Sequence, residues 1–317
     1  MKLSKFYDEV IKCGMEADPR GAKEVKNDLE RRKRQFEKLS SAQKKYFDKE
    51  YLNNPYDDTM ILYGSHDTEI KKILAGIDIE VSEMLLADKL REKGKKIDLV
   101  LSHHPSGKAL ANLYKVMRIQ VDVVANLGVG LNLAEGLLEP RIEEVQRRFL
   151  PLNHERAQSA AKLLDIPLMC AHTPADNHVV HYLTELIGEK KPDLVEDIID
   201  ILLEIPEYQH AAFLNAGPKV IFGKPSRRSG RIFVDMTGGT EMAKELFVKI
   251  AENGIGTVVC MHLSEDHLKS LREVPMNVIV AGHIASDTIG LNLLLDKITK
   301  KEDLEVIGCS GFTRVKR

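Results

Sequence analysis

Tryptophan is missing from this chain, and aromatic residues make up only 5% of its 317 residues. A protein that grips bases or sugars by stacking needs aromatic faces, so that mode of recognition is disfavoured. Charge of one sign is lacking too: 46 Lys and Arg stand against 48 Asp and Glu, a formal net charge of −2. With no long-range positive field to gather phosphate backbones, nucleic acid is a disfavoured partner. No run of about eighteen apolar residues occurs, which excludes a helical membrane span. The cysteines are few and far apart (Cys13, Cys170, Cys260 and Cys309), with no CxxC pair, and residues 1–20 are mixed polar rather than an apolar targeting segment. A reducing, cytoplasmic location is therefore the expectation. Internal repeats and low-complexity tracts are also absent.

What is present is a hydrophobic content of 43%, enough to bury a large core and to build one large or two medium domains. Residues 1–52 read as helix, with Phe6, Val10 and Ile11 in one apolar stripe and Val25, Leu29, Phe36 and Leu39 in another. The basic cluster Arg31, Arg32, Lys33, Arg34 shares its helix with Glu30 and Glu37, which marks a solvated face. This stretch is expected to be a helical extension outside the main fold, serving as an oligomer contact.

After Asn53-Asn54-Pro55, short β-branched runs alternate with amphipathic stretches, the signature of an α/β fold whose parallel or mixed sheets are covered by helices. Strands are expected at 59–63, 70–79, 97–102, 121–124 and 166–171, with helices at 82–93 and 155–164, giving a first lobe over 53–189. Residues 190–230, helical and then rich in Gly, Pro, Ser and Arg, read as the interlobe connection. A second lobe over 231–317 is expected to hold strands at 231–235, 257–261, 277–281 and 304–309, with helices at 241–253 and 288–299.

Three of these strands end alike: an apolar run stops and His follows at once. The first ends in Ser102-His103-His104-Pro105. Adjacent side chains on a strand point to opposite faces. Beyond the strand end the chain turns, Pro105 keeps His104 extended, and both imidazoles can reach neighbouring ions. The second reads Ala171-His172-Thr173-Pro174-Ala175-Asp176. A carboxylate such as Asp176 can bridge two cations, which imidazole cannot, although capping of the following helix is an equal reading. The third reads Ala281-Gly282-His283-Ile284-Ala285-Ser286-Asp287, where a helix starting near His283 would put His283 and Asp287 on one face. Any one of these histidines alone is more often a hydrogen-bonded structural residue. Three such strand ends together would bury several imidazoles and carboxylates at a cost of several kcal/mol unless a cation compensates them.

These motifs resemble the NIF-three-like dinuclear metal proteins, also described as homologues of GTP cyclohydrolase type I. The likeness runs from about residue 57 to 317 and rests on the His-His-Pro at 103–105, the His-Thr-x-x-Asp at 172–176 and the Gly-His at 282–283 with an acid four residues on. It implies a two-lobed protein with two metals in the interlobe cleft, held by His103, His104, Asp176, His283 and Asp287, with Asp176 as the bridge. His172 would stand close by, as a substrate-facing or proton-moving group. His267 resembles the histidine that members carry before the last core strand, and a substrate contact is implied for it. A homo-oligomer, in ring-shaped hexamers of three dimers, is likewise implied. The family usually has Glu where this chain has Asp287, one methylene shorter.

Imidazole and carboxylate ligands suit two divalent ions among Zn, Fe, Mn, Co and Ni. Five ligands over two ions leave room for water, so hydrolysis of a small molecule, with a nucleotide in view from the cyclohydrolase label, is the expected chemistry. Lys108, just after the histidine pair, is a further candidate substrate contact. A second class is a non-catalytic metal-binding protein whose ions fix the lobes or the assembly. The turn Thr237-Gly238-Gly239-Thr240 reads as a glycine turn with Thr240 as helix cap rather than an anion site, and Arg227 to Arg231 as a solvated loop.

Overall fold

A computed structural model describes the chain over residues 1–317, apart from the side chain of residue 273. Two sheets, each closed on one side by an antiparallel edge strand, carry the fold. The first has five strands in the order β1-β4-β3-β2-β9: β1 (Met60–Tyr63), β2 (Lys72–Gly76), β3 (Leu99–Ser102), β4 (Leu168–Cys170) and β9 (Glu305–Cys309). All pairings are parallel except that of β1 with β4. The second, in the order β5-β8-β7-β6, comprises β5 (Lys219–Phe222), β6 (Arg231–Asp235), β7 (Ile255–Cys260) and β8 (Asn277–Val280), again parallel except for β5 with β8. β3 is buried at every position, which is why its sequence is a continuous apolar run: helices cover both faces of a parallel sheet.

The α/β class and the mixed, mostly parallel sheets agree with the sequence expectation, and four details differ. β9 was expected among the second set of strands, yet it pairs parallel with β2 and completes the first sheet. The helix His283–Thr299 brings the chain back, burying Leu291, Leu294, Leu295 and Ile298 in the first core. Residues 121–124 are not a strand but lie in the helix Ile119–Asn126. Met117, Val121 and Val124 recur at helical spacing and are buried against the second sheet, so burial overrides the β preference of valine. The segment 190–230 does more than connect, since β5 forms the edge of the second sheet. The first helix, Leu3–Glu16, is no appendage either: Leu3, Phe6, Val10 and Cys13 are buried in the first core. Helix Ala22–Lys38 buries only Val25, and its Arg32 reaches Asp28 and Asp57.

No helix among the described residues is long and apolar enough to cross a membrane. The four cysteines are free.

Candidate metal centre

The carboxyl ends of β3, β4 and β8 converge on one point, so the loops after them deliver their side chains to a shared site. This is where open parallel sheets keep ligands. After β3 the backbone prolongs its ladder with β2, His103 and His104 donating their amides to Gly76 and Ile77 at 2.9 Å. The two rings then lie 5.2 Å apart. Each is oriented through Nδ1, which donates to the Ala171 carbonyl at 3.2 Å for His103 and to Asp78 at 2.7 Å for His104. Nε2 of both rings is thereby left facing the site.

Asp176 lies in the first turn of the helix Thr173–Lys190. On the other side, Gly282 takes φ 111° and ψ 122°, a conformation open mainly to glycine, and the helix begins at His283. His283 and Asp287 therefore share one helix face.

Asp287, only 1% exposed, stands at the centre. Its Oδ1 lies 3.4 Å from His103 Nε2, and its Oδ2 lies 3.3 Å from His104 Nε2 and 3.4 Å from His283 Nε2. Asp176 Oδ1 lies 3.4 Å from His103 Nε2. Two candidate cation triads follow, His103–Asp176–Asp287 and His104–His283–Asp287, in each of which the ligand atoms lie within 4.8 Å of one another. The shared carboxylate is Asp287, not Asp176 as the family likeness implied. Each Asp287 oxygen faces a different triad, whereas Asp176 turns its second oxygen to His172 at 3.8 Å. A third group, His103, His104 and His172, meets the same distance limit.

Four buried atoms here have no hydrogen-bond partner: His103 Nε2, Asp176 Oδ1 and both oxygens of Asp287. Unpartnered buried acceptors are costly, and their convergence fits a cation between them. The titration pattern agrees. Burial pushes the Asp176 carboxyl up to about 6 despite His172 and His103. Burial acts the same way on Asp287, but His103, His104 and His283 outweigh it and hold that carboxyl far below its usual range. Burial pushes His283 down to about 4, so its imidazole is neutral at pH 7.

Among solved structures, the fold is similar to a NIF3 superfamily protein from Sphaerobacter thermophilus, with a TM-score of 0.69 and 28% identity over 81% of this chain and 92% of that one. Its structural neighbours are NIF3 superfamily proteins, and the chain is NIF3-like in fold. Reduced HcgD from Methanocaldococcus jannaschii shares the fold at a TM-score of 0.50 and 18% identity, over 78% of this chain and 87% of that one. No protein-family model and no curated protein matches the sequence.

In this NIF3-like chain the structure brings together His103, His104, Asp176, His283, Asp287 and His172. It leaves two other candidates apart. Lys108 is exposed and pairs with Asp48. His267 is buried, with Nδ1 2.6 Å from Ser264 Oγ and Nε2 2.8 Å from the Met242 carbonyl, so neither nitrogen is free for a substrate. The expected cap at Thr240 is also absent, as the next helix starts at Lys244 behind Ala243.

Sequence reading passed over five residues of this NIF3-like site. Asp58, fully buried, accepts from His172 Nδ1 at 2.8 Å and from Thr173 Oγ1 at 2.6 Å; two acids directly before an apolar strand were its signal. Asp78, which orients His104, sits between the buried Ile77 and Ile79. His262 follows β7 as the other histidines follow their strands, and its ring lies 5.0 Å from that of His283. With Asp235 and Glu241 it lines the cavity in front of His172, Asp176, His283 and Asp287, a space of about 480 Å³ that opens to solvent.

Proposed function

We propose that this chain is a metal-dependent hydrolase of small molecules, with two divalent cations held by His103, His104, Asp176, His283 and Asp287, and Asp287 between them. The observation that carries this reading is the convergence of four buried, unpartnered polar atoms, three of them on the carboxylates of Asp176 and Asp287 that line an open cavity. A purely structural cluster would satisfy these atoms internally, and a closed structural metal site would have no cavity before it.

Cations bound there supply Lewis acidity toward an acceptor oxygen of the substrate and toward attacking water. The rest falls to the chain itself. Asp58 and Thr173 lock the ring of His172, so that Nδ1–H points at Asp58 and Nε2 at Asp176 and the cavity. His172 Nε2 is therefore the atom placed to take and return a proton. Burial pushes this imidazole toward neutrality, but Asp176 and Asp58 prevail and raise it to about 9. Asp78 keeps His104 Nε2 turned inward. Met236, Met261 and Phe247 give the cavity an apolar surface.

The test is elemental analysis of protein purified without added metal, followed by turnover assays on amides, cyclic amides, phosphoesters and nucleotides. Two transition-metal ions per chain are expected, with hydrolysis that EDTA and His104→Ala both abolish. A chain that takes up no metal on reconstitution, or turnover that survives in His104→Ala, would overturn the proposal.

A further inference from the structure

The cavity before the His/Asp cluster has two unlike walls. The second wall meets the cluster where the ring of His262 lies 5.0 Å from that of His283, and it comprises the segment that follows β6, from Asp235 to Glu241, with Cys260 at the end of β7 and the two residues after it. Among the described residues lining this cavity there is no lysine and no arginine. The charged groups of the second wall are instead Asp235, Glu241 and His262, set beside an apolar surface of Met236, Met261 and Phe247.

Glu241 is held firmly. The Ser264 amide donates to its Oε1 at 2.7 Å, His262 Nδ1 lies 3.3 Å from the same oxygen, and His267 Nδ1 lies 3.5 Å from Oε2. Asp235 also lines the cavity, where burial, with Glu241 adding to it, pushes its carboxyl up to about 7 despite His262. The wall itself is rigid. Gln120 Nε2 donates to the carbonyls of Gly238 and Thr240 at 3.0 and 2.6 Å, and a Cβ on Gly239 would stand 2.7 Å from a methyl of Val116. The same cavity is lined by Asp176 and Asp287, each more than nine-tenths buried with unpartnered oxygens, so the two carboxylates face a ligand site rather than open surface.

Taking the cluster as the metal centre proposed above, we infer that the cavity selects a substrate with paired N–H donors on an amidine, guanidine or aminoheterocycle edge, which Asp235 and Glu241 receive. A planar N–C–N edge offers two parallel donors, and carboxylates accept them in short charge-assisted hydrogen bonds. A phosphate-rich tail meets the reverse: two acids repel it and no basic side chain offsets them. Any phosphate of a larger substrate therefore lies outside this wall. The apolar surface suits the flat ring that carries such an edge.

The test uses metal-loaded, full-length protein. Benzamidine and 2-aminoimidazole are titrated calorimetrically, with acetophenone as a planar control lacking N–H donors, and metal content is measured on the same samples. Wild type is expected to bind both donors at least tenfold more tightly than acetophenone. Asp235→Asn and Glu241→Gln are each expected to lose at least tenfold toward the two donors, while metal content stays unchanged and the affinity for orthophosphate does not fall. Equal affinity for benzamidine and acetophenone in wild type overturns the inference without any variant, as does undiminished benzamidine binding in both variants. Protein that binds the donors but holds no metal would sink the metal reading and leave this one standing.

Discussion

Nε2 of His103, just beyond β3 of the first sheet, lies 3.4 Å from Oδ1 of Asp287, on a helix that leaves β8 of the second. Neither sheet holds the cluster alone. Because Asp287 turns one oxygen to each triad, it should matter to both ions, whereas Asp176 and His283 each serve one. Asp287→Ala is therefore expected to lose both ions, and Asp176→Ala and His283→Ala to keep about one each, read as metal-to-protein ratios by elemental analysis. Loss of both ions in Asp176→Ala alone would return the bridge to that residue.

Metal should also hold the two sheets together. A ligand that binds only the native state stabilises it by about 4 kcal/mol at a thousand times its dissociation constant. For a chain of this size that corresponds to roughly 8 °C in Tm. EDTA is expected to lower Tm by about that amount in wild type and by less than about 2 °C in Asp287→Ala, on the same scale. Differential scanning calorimetry of both proteins, with and without chelator, makes the comparison.

Gly282 sets the start of the helix that carries His283 and Asp287. At φ 111° an L side chain is strained, and a Cβ would lie 2.7 Å from the Ala216 carbonyl oxygen. Gly282→Ala is expected to cost about 2–3 kcal/mol, the scale of strained backbone conformations. Because any relief moves His283, metal content should fall as well. Urea unfolding and elemental analysis read the two effects, and a variant with unchanged values in both would refute this account of the glycine.

Lys108 and His267 should separate cleanly from the site. Lys108 makes an exposed ion pair with Asp48, so Lys108→Ala is expected to change stability by less than about 0.5 kcal/mol and metal content not at all. His267→Ala leaves the Met242 carbonyl and Ser264 without their partner in a buried place, at a cost of about 1–3 kcal/mol. Its metal content should equal that of wild type. Chemical denaturation with metal analysis distinguishes these outcomes from a role for either residue in ligation.

The strand-end histidines could be read from sequence because an apolar run followed at once by His is local information: burial of the strand and the position of its end are both written in consecutive residues. What could not be read was which sheet a strand joins. Residues 304–309 look like any other short strand, and only the helix His283–Thr299, packed under the first sheet, carries them back to β2. Val121, Val123 and Val124 pointed to a strand for the same local reason, and the helical phase of Met117 against them was the overlooked evidence. That Asp287 rather than Asp176 belongs to both triads could not be read, because sequence places the two acids in helix starts alike. The direction of each carboxylate oxygen is set by partners from three different strand ends. His262 was overlooked although its strand ends as the others do and Glu265 follows three residues on.

Glu241 and His262 give the cavity wall a pH dependence of definite sign. Burial alone would raise the Glu241 carboxyl, yet His262, His267 and the Ser264 amide bring it down to about 2, and the hydrogen bond to Glu241 raises His262 above its usual value. A carboxyl depressed on folding contributes stability above its unfolded value near 4.5, and that contribution is lost as pH falls toward 2. A histidine raised on folding contributes below about 6.5 and loses its share as pH rises through its folded value. The pair is therefore worth most between these limits. The stability gap between wild type and Glu241→Gln should reach about 1 kcal/mol there, a modest value because the glutamine oxygen still accepts from Ser264 and His262 is half exposed to solvent. The gap should narrow both toward pH 3 and as pH rises through the raised value of His262. Urea midpoints of the two metal-loaded proteins across this range make the measurement, and since both carry the same metal cluster, its own titration cancels from the difference. A gap that stays level from pH 3 to pH 8 would mean that Glu241 acts by shape and not by charge.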